Sequence, residues 1–207
     1  AGVTAMIGYM KRYDPGYEYG AALMKKMRDV RLIRVHDFAM EFTTHVSLFT
    51  LAAADDLSPE TIATSEAARE RVLRDALGPD YAHLTTLYFT LLLLASHDLA
   101  ILRGAFGPPK RVLYSDAISS TELLSVLDYG EGRRCVFEIG VGSRHLWWDE
   151  QMAAYGRDQV ITITFPNPYV PYAPTVVTIQ ENEAGSPVRK ELTSWPELLR
   201  IRRRAFP

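Results

Sequence analysis

His97 and Asp98 stand side by side in a run that is otherwise apolar, TLLLLASHDLAILRGAFG from Thr90 to Gly107. A polar group buried without a partner is costly, so a histidine and a carboxylate in this setting must be hydrogen-bonded, line a cleft, or both. Imidazole near neutrality is also the usual group for passing a proton to or from a hydroxyl or carbonyl oxygen. These residues alone leave His97 open between a satisfied core histidine and a general acid/base. A second place with chemical content is GYMKRYDP, Gly8 to Pro15, where Tyr9, Lys11 and Arg12 crowd the turn before a helix start. Lys11 and Arg12 are suited to orienting an anionic or polyhydroxylated ligand through charge-assisted hydrogen bonds, the alternative being a solvated cation pair.

Several familiar signatures are missing from this sequence. It contains no G-x-G-x-x-G, no G-x-x-x-x-G-K-[ST] and no G-x-S-x-G, so neither a phosphate cradle nor a nucleophile elbow is expected. The five histidines, His36, His45, His83, His97 and His145, show no ligand spacing, and no metal site is expected. A metal-dependent hydrolase or lyase would have to be assembled in space from His36, Asp37, His97 and Asp98. By itself His36 reads as a strand residue at a sheet edge or turn.

The elements that must position these groups belong to one unit. A chain of 207 residues with 47% hydrophobic content can bury a sizeable core, and residues 1–207 read as a single domain. A formal charge of −2 gives no general attraction to nucleic acid or anionic membrane, and the basic end RIRRRAFP reads as a solvated tail. Cys135 is the single cysteine, which precludes an intrachain disulfide and suits a reducing, cytoplasmic setting. The apolar run from Leu84 to Ala95 is shorter than the roughly 18 to 20 residues of a membrane span.

Along the chain, VTAMIGYM reads as a strand, Asp14-Pro15 as a helix start and DVRLIRVHDF as a second strand, an opening β-α-β unit. Ser58-Pro59 opens an exposed amphipathic helix that Gly78-Pro79 stops. The following segment, apolar on every side between Leu87 and Ala95, reads as a buried helix or helix pair. Beyond Pro109 come RVLYSDAIS, ELLSVLDYG, RRCVFEIGV, QVITITFP, TVVTIQENE and PVRKELT, strands separated by turn signals. Short connections favour antiparallel pairing. The expected class is α+β, a mostly antiparallel open sheet with helices packed on one face.

Taken together, IGYMKRYDPGYEYG, DVRLIRVHDF, SHDLAILRGAFGPPKRVLYS, LDYGEGRRCVFEIGV, DEQMAAYGRDQVITITFPNPYV and LTSWPELLRI resemble the C-terminal substrate domain of the Gfo/Idh/MocA family of NAD(P)-dependent oxidoreductases. The resemblance spans almost the whole chain. It implies an enzyme acting on a secondary alcohol or ketone of a sugar, inositol or related polyol. NAD or NADP would be bound mainly by an N-terminal Rossmann domain absent from this chain, and the fragment alone would be inactive. It also implies a homo-oligomer formed through the exposed sheet face. By position His97 matches the family's acid/base histidine, and Lys11 a basic position near the active site, with Tyr9, Arg12 and Asp98 as further substrate-binding candidates. Many members carry an aspartate four residues before that histidine; here the position is Leu93. The alternative is a non-catalytic binding or dimerisation module that keeps the fold. The segment between Phe42 and Leu84 is longer and more helical than in the family's shorter members, and either caps the pocket or extends the scaffold.

Overall fold

Period-two alternation of apolar residues is what builds the central layer. In the computed structural model, which describes residues 2–40, 56–142, 147–170 and 172–194, β1 (Leu32–Ala39) turns Ile33, Val35, Asp37 and Ala39 inward and leaves Arg34, His36 and Phe38 on the other face. The remaining strands are β2 (Arg111–Ala117), β3 (Glu122–Gly130), β4 (Arg133–Val141), β5 (Asp149–Tyr155), β6 (Gln159–Phe165), β7 (Thr175–Glu183) and β8 (Ser186–Ser194). They form one sheet in the order β2-β3-β4-β1-β5-β6-β7-β8. Every pairing is antiparallel except β1 with β4.

Two helices cover the inward face. Helix α1 (Pro15–Met24) starts where Asp14 accepts the Tyr17 N–H at 2.9 Å and Pro15 supplies the first-turn φ. It lies so close to the sheet that a Cβ on Gly20 would come within 2.6 Å of Ile163 Cγ1 and Cδ1. A second helix, α4 (Ser96–Phe106), packs beside it, tied by the Tyr17 hydroxyl donating to the Ile101 carbonyl at 2.8 Å. Tyr17, Met24, Ile101 and Leu102 thus meet Ile33, Val35, Phe137, Ile139, Met152, Ile161 and Ile163 in one apolar core. The class is α+β with helices on one face.

Helix α2 (Pro59–Leu77) begins at Ser58, whose side chain accepts the Thr61 N–H, and ends at Gly78 with φ of 75°. Leu73 is its one buried residue, and most of the rest is exposed. A 3-10 turn (Pro79–Leu84), α3 (Thr85–Thr90), one π turn (Leu91–Ala95) and α4 then follow without a break. This 28-residue rod, Pro79–Phe106, is long and apolar enough by length and composition to cross a membrane, contrary to the reading of its apolar run as too short. Here Leu87, Leu94, Ala95, Ile101 and Leu102 bury its inner side in the domain.

Three further expectations are corrected. VTAMIGYM is not a strand: residues 2–9 are irregular, with Val3 and Ile7 exposed, because no neighbouring strand offers its backbone a ladder. The opening unit is therefore helix then strand. The apolar run is not buried all round, since Leu92 and Leu93 are 48% and 56% exposed. Segment 149–155 adds a strand, β5, beyond those read from alternation. His45, His145, the tail RIRRRAFP and most of LTSWPELLRI lie outside the described residues, as do residues 41–55 of the longer helical segment.

Candidate functional site

The alternation of β1 and β5 sends two carboxylates into the helix-covered side. Asp37 and Glu150 are direct cross-strand partners, and both are buried. Like charges placed opposite one another repel, so the pair requires a cation. Lys11 provides it from the 3-10 turn Met10–Tyr13: its Nζ lies 2.5 Å from Glu150 Oε1 and 3.6 Å from Asp37 Oδ2. Asp98, fully buried on α4, completes the group, with one oxygen of each carboxylate within 4.8 Å of the others. That spacing would suit a bound cation, and the Lys11 ammonium already fills the role.

Three carboxylates to one ammonium leave the cluster short of positive charge. Burial pushes the Asp37 carboxyl up to about 7, with Glu150 adding to the rise and Lys11 opposing it. Burial likewise raises Glu150 to about 8 against the pull of Lys11. Asp98 lies well above the ordinary carboxylate range, again through burial. As carboxylates, Asp37 and Asp98 have no hydrogen-bond donor on any of their oxygens. A proton on Asp98 supplies the donor that Asp37 lacks. For Lys11 the desolvation that favours the neutral amine is outweighed by Glu150, Asp98 and Asp37, so its ammonium is held above the usual lysine range.

Above this cluster opens a cleft of about 260 Å³, lined by Met10, Lys11, Phe89, Thr90, Leu93, Leu94, His97, Val141, Trp148, Pro168 and Tyr169. The π turn leads directly into its wall: the Ser96 N–H reaches back to the Leu91 carbonyl, and the Ser96 hydroxyl donates to the Leu92 carbonyl at 2.8 Å. His97 follows on the next position. Its ring meets Tyr9 edge-on at 5.5 Å, and its Nδ1 is buried without a hydrogen-bond partner, leaving Nε2 as the nitrogen for the cleft. Burial first, and the Lys11 cation second, hold the ring below the ordinary imidazole value and therefore neutral. On the far wall Trp148 and Tyr169 stand edge to face at 6.2 Å, and the Trp148 indole N–H donates to Glu150 Oε2 at 2.8 Å.

Of the residues singled out in the sequence, Lys11 and His97 line one cleft and Tyr9 touches His97. Asp98 belongs to the buried cluster behind them. Arg12 does not line the cleft; it is exposed, with its guanidinium near Gly104 and beside Tyr17. His36 is separated from Asp37 by the strand's own alternation and pairs with Asp149 at 3.0 Å on the open face, so the set His36, Asp37, His97 and Asp98 does not converge. Glu150, Trp148 and Tyr169 escaped sequence reasoning. A glutamate one residue away from the apolar run Met152-Ala153-Ala154 was the available signal.

No protein-family model and no curated protein matches this sequence. Solved structures do match its fold. The 3-ketoreductase KijD10 from Actinomadura kijaniata, in complex with NADP, superposes with a TM-score of 0.59 at 10% identity over 99% of this chain and 52% of its own. UDP-N-acetylglucosamine 3-dehydrogenase GnnA from Acidithiobacillus ferrooxidans gives 0.57 at 12% identity, covering 98% of this chain and 51% of its own. Levoglucosan dehydrogenase in complex with NADH and L-sorbose gives 0.55 at 10%, covering 94% and 47%. The chain thus has the fold of one part of these oxidoreductases and spans about half their length.

Proposed function

We propose that this chain is the C-terminal, substrate-binding part of an NAD(P)-dependent oxidoreductase acting on a secondary alcohol or ketone of a sugar, inositol or related polyol, with His97 as its general acid/base. The observation that carries the reading is the meeting of His97 and Lys11 in one cleft. Support comes from the fold, which this chain shares with part of KijD10, GnnA and levoglucosan dehydrogenase. The described residues offer no cradle for a pyrophosphate, so a Rossmann domain beyond them would hold the dinucleotide and bring its ring to the cleft mouth. The nicotinamide, when bound, accepts or donates the hydride.

This chain's residues bind the substrate and move the proton. His97 is neutral, so Nε2 can take the proton of a substrate hydroxyl as the carbinol carbon loses hydride, or return it in the reverse direction. Tyr9 fixes the ring by its edge contact, and the apolar wall of Phe89, Leu94 and Val141 excludes water from the reacting carbon. Without the partner domain the two reacting centres are not held together, so this chain alone does not turn over. The open sheet face, with Val126, Val136, Phe38 and Val176 half-buried along it, is the proposed surface for a homo-oligomer, and the cytoplasm the proposed compartment.

Leu93 favours a second reading, a binding module without chemistry, because it stands in the cleft where many family members carry the aspartate beside the histidine. Steady-state turnover of the parent enzyme, nicotinamide domain included, against polyols and keto-sugars separates the two. Activity that falls by about 10²-fold or more in His97→Ala supports the enzyme. Turnover indifferent to His97, or absent with every substrate, sinks it.

A further inference from the structure

Glu150 does not line the cleft. It lies behind it, 1% exposed, and its two oxygens hold two side chains that do: Oε1 faces Lys11 Nζ at 2.5 Å and Oε2 accepts the Trp148 indole N–H at 2.8 Å. Among the described lining residues Lys11 is the permanent cation, the group on which an anionic ligand would depend. That ammonium is already engaged by Glu150 and Asp37, with 9% of its side chain exposed. Asp98 adds a third carboxyl beneath the floor. An anion entering the cleft would have to compete with Glu150 and Asp37 for Nζ. Arg69, which stacks on Phe89 at 5.2 Å, lines the neighbouring groove in the company of Glu66 and Glu70. The walls are otherwise apolar and aromatic, and the Trp148–Tyr169 pair suits the C–H face of an uncharged ring.

We infer that Glu150 is the specificity-determining residue of the cleft: by holding Lys11 and Trp148 it denies anionic ligands the ammonium and reserves the site for uncharged hydroxylated rings. The inference rests on the reading of this cleft as the substrate site. Glu150 touches no ligand in this scheme; it acts through the two side chains it positions.

The test compares methyl α-D-glucopyranoside with α-D-glucose 1-phosphate, the same ring without and with an anion. Binding to the chain is followed by the NMR signals of the His97 ring and the Trp148 indole N–H. The wild type should bind the glycoside at least about tenfold more tightly than the phosphate. Glu150→Gln keeps an acceptor for the indole but frees Lys11, and should raise phosphate affinity by about tenfold while moving glycoside affinity by less than about threefold. The gain should vanish in the Glu150→Gln/Lys11→Met double variant. If Glu150→Gln does not fold, Lys11→Met alone decides: phosphate binding should be unchanged, because the ammonium was never available. A wild type that prefers the phosphate, a Glu150→Gln protein with an unaltered preference, or a loss of phosphate binding in Lys11→Met each overturns the inference and leaves the site in place. Signals that respond to neither probe overturn the reading of the cleft itself.

Discussion

His97 and Asp98 are consecutive in α4, yet the His97 ring borders the cleft beside Lys11 while Asp98 is wholly buried against Asp37 and Glu150. Successive helical side chains point about 100° apart, so one step of the chain separates a group that can meet a ligand from one that cannot. The polar interruption of the apolar run therefore serves two places at once.

The protonation of His97 reports on Lys11. Burial and the neighbouring ammonium both disfavour imidazolium, so the ring should titrate below a free imidazole. Lys11→Met removes the second cause and should move the midpoint upward. NMR titration of the ring decides it; a midpoint insensitive to Lys11 would remove the electrostatic link between them.

Leu93→Asp places a carboxylate in the same cleft as His97, at a position 56% exposed, where its charge is tolerated. Imidazolium is then favoured, and the His97 midpoint should rise with little change in stability. An unchanged midpoint would show that the π turn keeps position 93 out of reach of the ring.

The carboxyl cluster makes stability depend on pH in an unusual direction. Between the ordinary carboxylate range and the raised values of about 7 for Asp37 and about 8 for Glu150, the folded chain binds more protons than the unfolded one. Stability therefore falls as pH climbs through that window. Asp98→Asn removes one buried acid without changing its size, and should raise stability at the alkaline end by about 1 to 3 kcal/mol and flatten the decline. Denaturant unfolding at several pH values measures this, and a steeper decline in the variant would contradict the charge surplus.

Helix α1 sits on the sheet only because Gly20 has no side chain. A Cβ there meets Ile163 at 2.6 Å, so Gly20→Val should destabilise the fold by about 2 kcal/mol or more despite a better helix propensity than glycine. Thermal or urea unfolding would show it. An unaffected midpoint would mean that α1 can lift off β6 freely, and with it the turn that carries Lys11.

The helix starts at Asp14-Pro15 and Ser58-Pro59, the stop at Gly78 and the glycine-bearing turn between β3 and β4 were all legible, because capping and turn chemistry act over three or four residues. Alternation over β1 and the strand-forming residues and turn signals of β2 to β4 and β6 to β8 were equally local. VTAMIGYM misled for the opposite reason: β-compatible side chains make a strand only if another strand lies beside them. In β5, the buried Met152, Ala153 and Ala154 blur the alternation that would have announced it.

His97 was conspicuous because it broke an apolar run, and Lys11 because it stood in a charged turn. Nothing local said that Lys11 is buried, that Asp37 and Glu150 face each other, or that Asp98 lies over them. Caps, turns and faces are dictated by neighbours along the chain, and those the amino-acid order settled. The charge cluster and the cleft above it depend on which strand lies next to β1 and on the wider turn at Leu91–Ala95 that precedes His97 and Asp98, so they came into being only when the distant segments packed.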